Sequence, residues 1–219
     1  MPFVIRNVQN AAAPQSVATA PTMFPEMVGR SCRLLTYKKK RVPTFTVKGE
    51  VVAYASPDST FAVTKRFFDN ATRSILIGIY DMSAPHVKEL LLAALGRGVK
   101  IKLMLDIDNE AEQQLFNELR SLGVAGVPAP SCASQNNRKY FRSSHEKVIV
   151  IDDEWTLIQS GNYSSNSCPL NVKDGGDRKK FVPGNRDMGM AIRSKEMAKY
   201  SSGFTNERFD DSSSLRLDR

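Results

Sequence analysis

An α/β domain with strands and helices in alternation is what the pattern order in this chain predicts. Three observations carry it. Apolar, β-branched runs alternate with helical-period stretches from Thr46 to Val127, in the order βαβαβαβ. Glycines at Gly96, Gly98 and Gly123 close the helical stretches. An apolar fraction of 41% over 219 residues supplies enough material for a core.

Residues 1–46 stand apart. Alanines, prolines and polar residues with weak periodicity predict an extended or partly ordered arm. Its basic cluster, Lys38 to Arg41, reads as a solvated loop, with phosphate contact as the alternative. Residues 47–205 form the predicted domain. Thr46 to Ala55 reads as a strand. Ser56-Pro57-Asp58 stops it and starts a helix whose inner face is Phe61, Thr64, Phe67, Phe68 and Ala71. Ser74 to Tyr80 is a buried strand. Ser83 is the expected N-cap, with Pro85 in the first turn, of a helix through Leu90, Leu91, Leu92 and Leu95. Val99 to Leu105 is the next strand. Asn109 and Glu112 make a capping box for a helix through Leu115, Leu119 and Leu122. Val124 to Val127 is a short strand, and the whole order argues for a largely parallel sheet.

After a polar and basic loop to Arg142, the pattern changes. Val148 to Ile151 is a continuous apolar run, Asp152-Asp153-Glu154 is turn-like, and Trp155 to Ile158 reads as a returning strand. Residues 167–184 look like an inserted surface loop. Asn185 to Ile192 is a strand, Ser194 to Ser201 a helix, and residues 206–219 a frayed tail.

The chemistry concentrates around this hairpin. His145 and Lys147 lie two apart at a strand start, so they share a face. Ser160 and Asn162 are two apart at the end of the returning strand. An even-numbered hairpin loop would set Lys147 opposite Ser160 and His145 opposite Asn162, whereas an odd loop would put them on opposite faces. An imidazole can attack phosphorus and carry a phosphoryl group. A lysine suits non-bridging phosphate oxygens. Ser160 and Asn162 add neutral donors to the same oxygens. The set needs no metal and no cofactor. A second His-x-Lys, His86 and Lys88, has Ala93 where an acid would be required and sits in a helical pattern, so His86 reads as structural.

His145-x-Lys147, Asp152 and Ser160-x-Asn162 together resemble the HKD motif of the phospholipase D superfamily, and the likeness runs from about Val51 to Tyr200. It is closest to the short, single-motif, nuclease-like branch. One departure is Gln159, where the family carries glycine. The resemblance implies a mixed β-sheet flanked by helices on both faces. It also implies a metal-independent phosphodiesterase, acting on phospholipid or nucleic acid through a covalent phosphohistidine. The expected catalytic set is His145, Lys147, Asn162 and Ser160, with Asp152 as a structural or outer acid. Asp187 stands where the family has a glutamate that orients the histidine. Arg138, Lys139 and Arg142 are expected to hold the anionic substrate, and Tyr140 to stack on a base or cover an acyl chain. One motif per chain implies a homodimer with both His145 residues at the two-fold axis, or a second HKD domain if the chain is a fragment.

Composition narrows the partners. A net charge of +8 favours anionic ones. Three widely spaced cysteines and two histidines argue against a disulfide framework or a conventional zinc site. No transmembrane run and no signal-peptide core are read, which favours the cytoplasm. Two alternatives stay open: a non-specific endonuclease on the same scaffold, and a nucleic-acid-binding module without activity.

Overall fold

Strands and helices alternate as far as residue 128, and strands then dominate. The computed structural model describes residues 42–129, 143–170 and 184–203, with the backbone alone of two short strands between 130 and 142. The elements are β1 (Val51–Ala55), α1 (Thr60–Asn70), β2 (Ser74–Ile79), α2 (Pro85–Gly96), β3 (Lys100–Leu105), α3 (Glu110–Ser121) and β4 (Ala125–Pro128). Next come β5 (Ser134–Gln135), β6 (Arg138–Lys139), β7 (Lys147–Ile151), β8 (Trp155–Gln159) and β9 (Met188–Arg193), and residues 195–203 are helical.

Seven strands make one mixed sheet in the order β1-β9-β8-β7-β2-β3-β4. Only β2, β3 and β4 run parallel to their neighbours, linked through α2 and α3. The other four pairings are antiparallel. The largely parallel sheet expected from the alternation is thereby corrected. Strand β1 opens the alternation but pairs with β9 at the far edge, and the β7–β8 hairpin fills the space between β9 and β2. The mixed sheet with helices is the architecture that the family resemblance implied.

Burial explains why β2 and β7 lie inside. Ile75, Ile77 and Ile79 on β2 and Ile149 and Ile151 on β7 are almost fully buried on one face. That face packs on Phe67 and Phe68 of α1, Leu90 and Leu91 of α2, and Phe116 and Leu119 of α3. On the other face, Leu76 and Val150 pack with Ala198 of the terminal helix. Helix α2 begins at Pro85 with Ala84 as its N-cap, one residue later than the expected Ser83. Pro85 stands at N1, where its missing N–H costs nothing and its fixed φ suits the helix.

Two local devices fix the antiparallel half. The first is the hairpin loop, where Asp152 and Asp153 have φ of 54° and 56°. Aspartate tolerates that left-handed region better than most side chains. The Asp152 carboxylate then accepts from the backbone N–H groups of Thr72, Arg73 and Ser74 and from the Thr72 hydroxyl, at 2.7–2.9 Å. It is a clamp on the start of β2.

The second device is a row across three strands. Tyr54 pairs with Gly189, and Gly189 pairs with Gln159. A Cβ on Gly189 would stand 2.3 Å from Tyr54 Cζ, so the phenol ring lies directly over that glycine. The Tyr54 hydroxyl donates to Gln159 Oε1 at 2.9 Å, and Gln159 Nε2 donates to Gly161 O at 2.9 Å. Burial is the main cause pushing the Tyr54 hydroxyl well above its ordinary pKa, which keeps it a donor.

Gly189→Ala is expected to cost about 1–3 kcal/mol, the usual penalty for overpacking, since a methyl there meets ring carbons with no space beside them. Urea unfolding of both proteins measures it. Asp152→Ala is expected to destabilise as well, in a pH-dependent way. Partial burial pushes this carboxyl up, but the N–H donors of Ser74, Thr72 and Arg73 and the Thr72 hydroxyl outweigh it, and the net value is lowered. Its contribution is therefore full above the ordinary aspartate value and fades as pH falls through the depressed folded value. The stability gap between wild type and variant, followed by denaturant midpoints, is expected to close only in that acid range.

Candidate active site

The site gathers where β7 begins and β8 ends. Lys147 is the first residue of β7 and pairs with Ile79. It therefore projects on the face that holds the main apolar core, and is only 4% exposed. Burial lowers its pKa, and Glu146, Asp187 and Asp81 pull it back up. Its ammonium donates to the His145 carbonyl at 2.8 Å and lies 5.6 Å from the centre of the Tyr80 ring. An ammonium over an aromatic face gains electrostatic support without an ion pair.

His145 is exposed, so its ring is reachable from solvent. It packs at 4.9 Å against the same Tyr80 ring. Its chain neighbour Ser144 is buried, and the Ser144 N–H donates to Asp106 Oδ2 at 3.3 Å. Asp106 itself is buried just past β3 and accepts from Asp108 N–H at 3.1 Å. The end of β3 thus holds the segment that presents His145. Glu146 beside it has a pKa raised mainly by burial, with Asp106 adding to the rise.

The hairpin parity differs from the even loop that would have set Lys147 across from Ser160 and His145 across from Asn162 on one face. Its loop has three residues, because Ile151 pairs with Trp155 and Val148 with Ile158. One step further along this register, Lys147 faces Gln159 rather than Ser160. The site survives because β8 stops at Gln159. Beyond it the chain turns close against Asp187: a Cβ on Gly161 would stand 2.7 Å from Asp187 Oδ2. Pleat parity has no authority past a strand's end.

Asp187 ties these pieces together. Its backbone carbonyl accepts from Ser56 N–H at 2.9 Å, and its Oδ1 accepts from the Ser160 hydroxyl at 3.0 Å. Ser160 in turn accepts from Met188 N–H at 3.1 Å. Among the described residues, Asp187 Oδ2 and Asn162 Oδ1 are buried without a hydrogen-bond partner. A buried polar atom without a partner is costly, so each calls for an explanation. Asn162 is fixed through its neighbour. Tyr163 is fully buried, packs edge-on against Phe68 at 6.0 Å, and accepts at its hydroxyl from Thr64 Oγ1 at 3.4 Å.

The structure therefore brings Lys147, Ser160 and Asp187 into one neighbourhood, with His145 and Asn162 beside Lys147 and Ser160 in the chain. Asp152 stands apart, at the other end of β7, occupied as the clamp on β2. Arg138 and Lys139 lie on β6, of which only the backbone is described, and Tyr140 and Arg142 lie outside the described residues. His86 is engaged elsewhere, with Nε2 2.6 Å from the Cys168 carbonyl and its ring edge-on to Phe61. Among the described residues, no group of three or more His, Cys, Asp or Glu is placed to hold a metal ion. Tyr80, Asp81 and Asp106 were not singled out in the sequence. Their signal was position: each directly follows or nearly follows the carboxyl end of a parallel strand, where open α/β sheets assemble ligand sites.

Comparison with known proteins bears on the family and the fold. A family model described as "Cardiolipin synthase, PLD-like domain" matches residues 64–206. A phospholipase D of Rickettsia conorii is 29% identical over 106 residues, 48% of this chain and 49% of the relative. The DISARM protein DrmC of Bacillus paralicheniformis is 26% identical over 121 residues, 53% of this chain and 48% of the relative. The chain thus spans about half the length of these curated relatives. Among solved structures, the phospholipase D family member Nuc of Salmonella typhimurium superposes with a TM-score of 0.56 at 20% identity, covering 74% of this chain and 94% of its own. NucT of Helicobacter pylori gives 0.59 at 15% identity, covering 74% and 96%. At these identities the structures speak for the fold alone. Fold, motif and the family model over residues 64–206 agree: the chain belongs to the phospholipase D-like domain family.

Proposed function

We propose that this chain is a metal-independent phosphodiesterase that works through a phosphohistidine. The observation that carries the reading is the buried Lys147 ammonium set next to an exposed imidazole and two unpartnered buried oxygens. A charge buried on an apolar face is expensive. It is worth holding there when an anion is to be bound in a place of low dielectric, where each contact is strong.

In this reading a ring nitrogen of His145 attacks phosphorus. The new P–N bond forms as the P–O bond to the leaving alcohol breaks, and a second histidine gives that oxygen its proton. Water, deprotonated by the same second histidine, then attacks phosphorus. The P–N bond breaks and His145 is restored. Lys147 and Asn162 hold the non-bridging oxygens, with Ser160 assisting. Asp187 Oδ2 accepts from His145 when the ring turns toward it, fixing the tautomer. One motif per chain supplies one histidine, so a second copy of the chain, or a second domain of the same kind, supplies the other.

The substrate class is a phosphodiester of nucleic acid or phospholipid. The net charge of +8 favours the polyanion, and the phospholipase D relative favours the lipid. Gln159 and Asp187 are the two departures that favour a non-catalytic binding module. The Gln159 amide is satisfied by Tyr54 and Gly161, and Gly189 makes the room, so the substitution fits without displacing the reacting groups.

Hydrolysis of bis(p-nitrophenyl) phosphate is expected to continue in excess chelator. His145→Asn is expected to lower it by roughly a thousandfold or more, the scale of losing a nucleophile. Equal rates in both proteins would remove His145 from the mechanism. Acid-labile, alkali-stable phosphate on wild type but not on the variant identifies the intermediate. Asp187→Asn is expected to reduce kcat by about 10²–10⁴, with KM little changed, as for loss of an orienting acid. Molar mass by light scattering is expected to show a dimer for any sample with turnover from this chain alone. Plasmid and phospholipid vesicles, assayed side by side across a salt series, decide the substrate, since DNA cleavage falls steeply with salt.

A further inference from the structure

A row of residues crosses four strands behind the site. Tyr54 on β1 pairs with Gly189 on β9, and Gly189 pairs with Gln159 on β8. One register step beyond the Val148–Ile158 pair, Gln159 stands opposite Lys147 on β7. The Gln159 amide is used at both of its atoms. Its Oε1 accepts from the Tyr54 hydroxyl at 2.9 Å, and its Nε2 donates to the Gly161 carbonyl at 2.9 Å. Tyr54 and Gln159 are both buried, so both bonds are shielded from water.

The acceptor, Gly161, lies between Ser160 and Asn162, the two neutral donors of the site. The chain on either side of it is tied to other elements. Ser160 N–H donates to the Met188 carbonyl at 2.9 Å, and the Ser160 hydroxyl donates to Asp187 Oδ1 at 3.0 Å. Tyr163 N–H donates to the Asp81 carbonyl at 3.1 Å. Gly161 itself has no room for a Cβ, which would stand 2.7 Å from Asp187 Oδ2. A residue that must be glycine brings wide backbone freedom, so the turn gains from an outside hold. The Gly161 carbonyl and the Asn162 N–H belong to one planar peptide unit. A donor fixed on that carbonyl therefore fixes where the Asn162 side chain begins and where it can reach.

We propose that Gln159, anchored by Tyr54, is a positioning residue for Asn162: its amide holds the Gly161–Asn162 peptide and so aims the Asn162 side chain at the bound phosphate. The proposal rests on the phosphodiesterase reading and gives the family departure at 159 a task, since a glycine there has no side chain to reach the Gly161 carbonyl. A neutral amide suits the place. A carboxylate there could accept from Tyr54 but could not donate to Gly161, and it would bring a competing negative charge beside Lys147.

The test compares wild type, Gln159→Leu, Tyr54→Phe and the double variant. Two readouts are taken at a temperature where thermal melts show each protein folded: kcat and KM for bis(p-nitrophenyl) phosphate, and affinity for sulfate by calorimetry. Gln159→Leu is expected to lower kcat by about ten- to a hundredfold, with KM within about threefold, and to weaken sulfate binding several-fold. Tyr54→Phe keeps the ring over Gly189 and the bond from Gln159 to Gly161, and is expected to lower kcat by about two- to fivefold. The double variant is expected to match Gln159→Leu within about twofold, because both residues act through one hydrogen bond. Should Gln159→Leu fail to fold, Gln159→Met takes its place in the comparison. A folded Gln159 variant whose kcat and sulfate affinity both stay within about twofold of wild type overturns the proposal, even where its melting temperature falls. Single losses that multiply in the double variant overturn the anchoring by Tyr54. Wild type that binds sulfate without turnover, with binding weakened in Gln159→Leu, overturns the phosphohistidine reaction and leaves the positioning role standing.

Discussion

The buried ammonium of Lys147 is the constraint from which much of the architecture follows. It shares a sheet face with Ile77, Ile79, Ile149 and Leu157, where an unsupported charge would cost several kcal/mol. Support arrives from several elements. The His145 carbonyl accepts its proton directly, the Tyr80 ring lies beside it, and Glu146, Asp187 and Asp81 bring negative charge. Tyr80 and Asp81 follow β2, His145 and Glu146 precede β7, and Asp187 precedes β9, so the end of β2 and the starts of β7 and β9 must converge. The mixed sheet is what makes them converge: β7 runs antiparallel to β2, so its first residue lies beside the last residue of β2. A wholly parallel sheet would bring Lys147 beside the start of β2 instead.

This topology also explains why the motif's aspartate lies so far from its histidine. Four residues of extended β7 lie between Lys147 and Asp152. The aspartate works at the other end, where it holds the start of β2 with four hydrogen bonds. Register between β2 and β7 is fixed at both ends, by Asp152 at one and by the Ile79–Lys147 pairing at the other. A slip of one residue would turn Lys147 to the opposite face and remove the site. The motif is therefore a unit of folding as much as of chemistry.

Much of this was legible in the sequence, because local signals dominate where elements are regular. The apolar runs of β2, β3 and β7 and the inner face of α1 lie where the period predicted them, whereas the face of α3 is Glu112, Phe116 and Leu119 rather than Leu115, Leu119 and Leu122, and Leu122 is exposed. The sheet's parallel or antiparallel character was not legible from alternation alone. It depends on which edge β1 joins, and that is a long-range choice between Gly189 and any other partner for the Tyr54 ring. The site was legible as a list of residues but not as a geometry. Strand alternation was extended past Gln159 to Ser160 and Asn162, where the chain no longer pleats. Turning at Gly161 against Asp187 depends on tertiary contact, which no local period records. Gln159 shows the same limit: its departure from the family pattern is understandable only with Tyr54 and Gly189 in view.

The acids behind the site follow a related logic. Asp81 and Glu146 bear on Lys147, and Asp106 bears on Glu146 and Glu112. Burial raises the pKa of Glu112 and Glu146. A neutral carboxylic acid can also donate a hydrogen bond, which a carboxylate cannot. Carboxylic side chains thus meet three different environments: Asp152 accepts backbone N–H groups in a loop, Asp187 accepts from the Ser160 hydroxyl, and Glu112 is buried in the first turn of α3. Environment, not identity, separates the three.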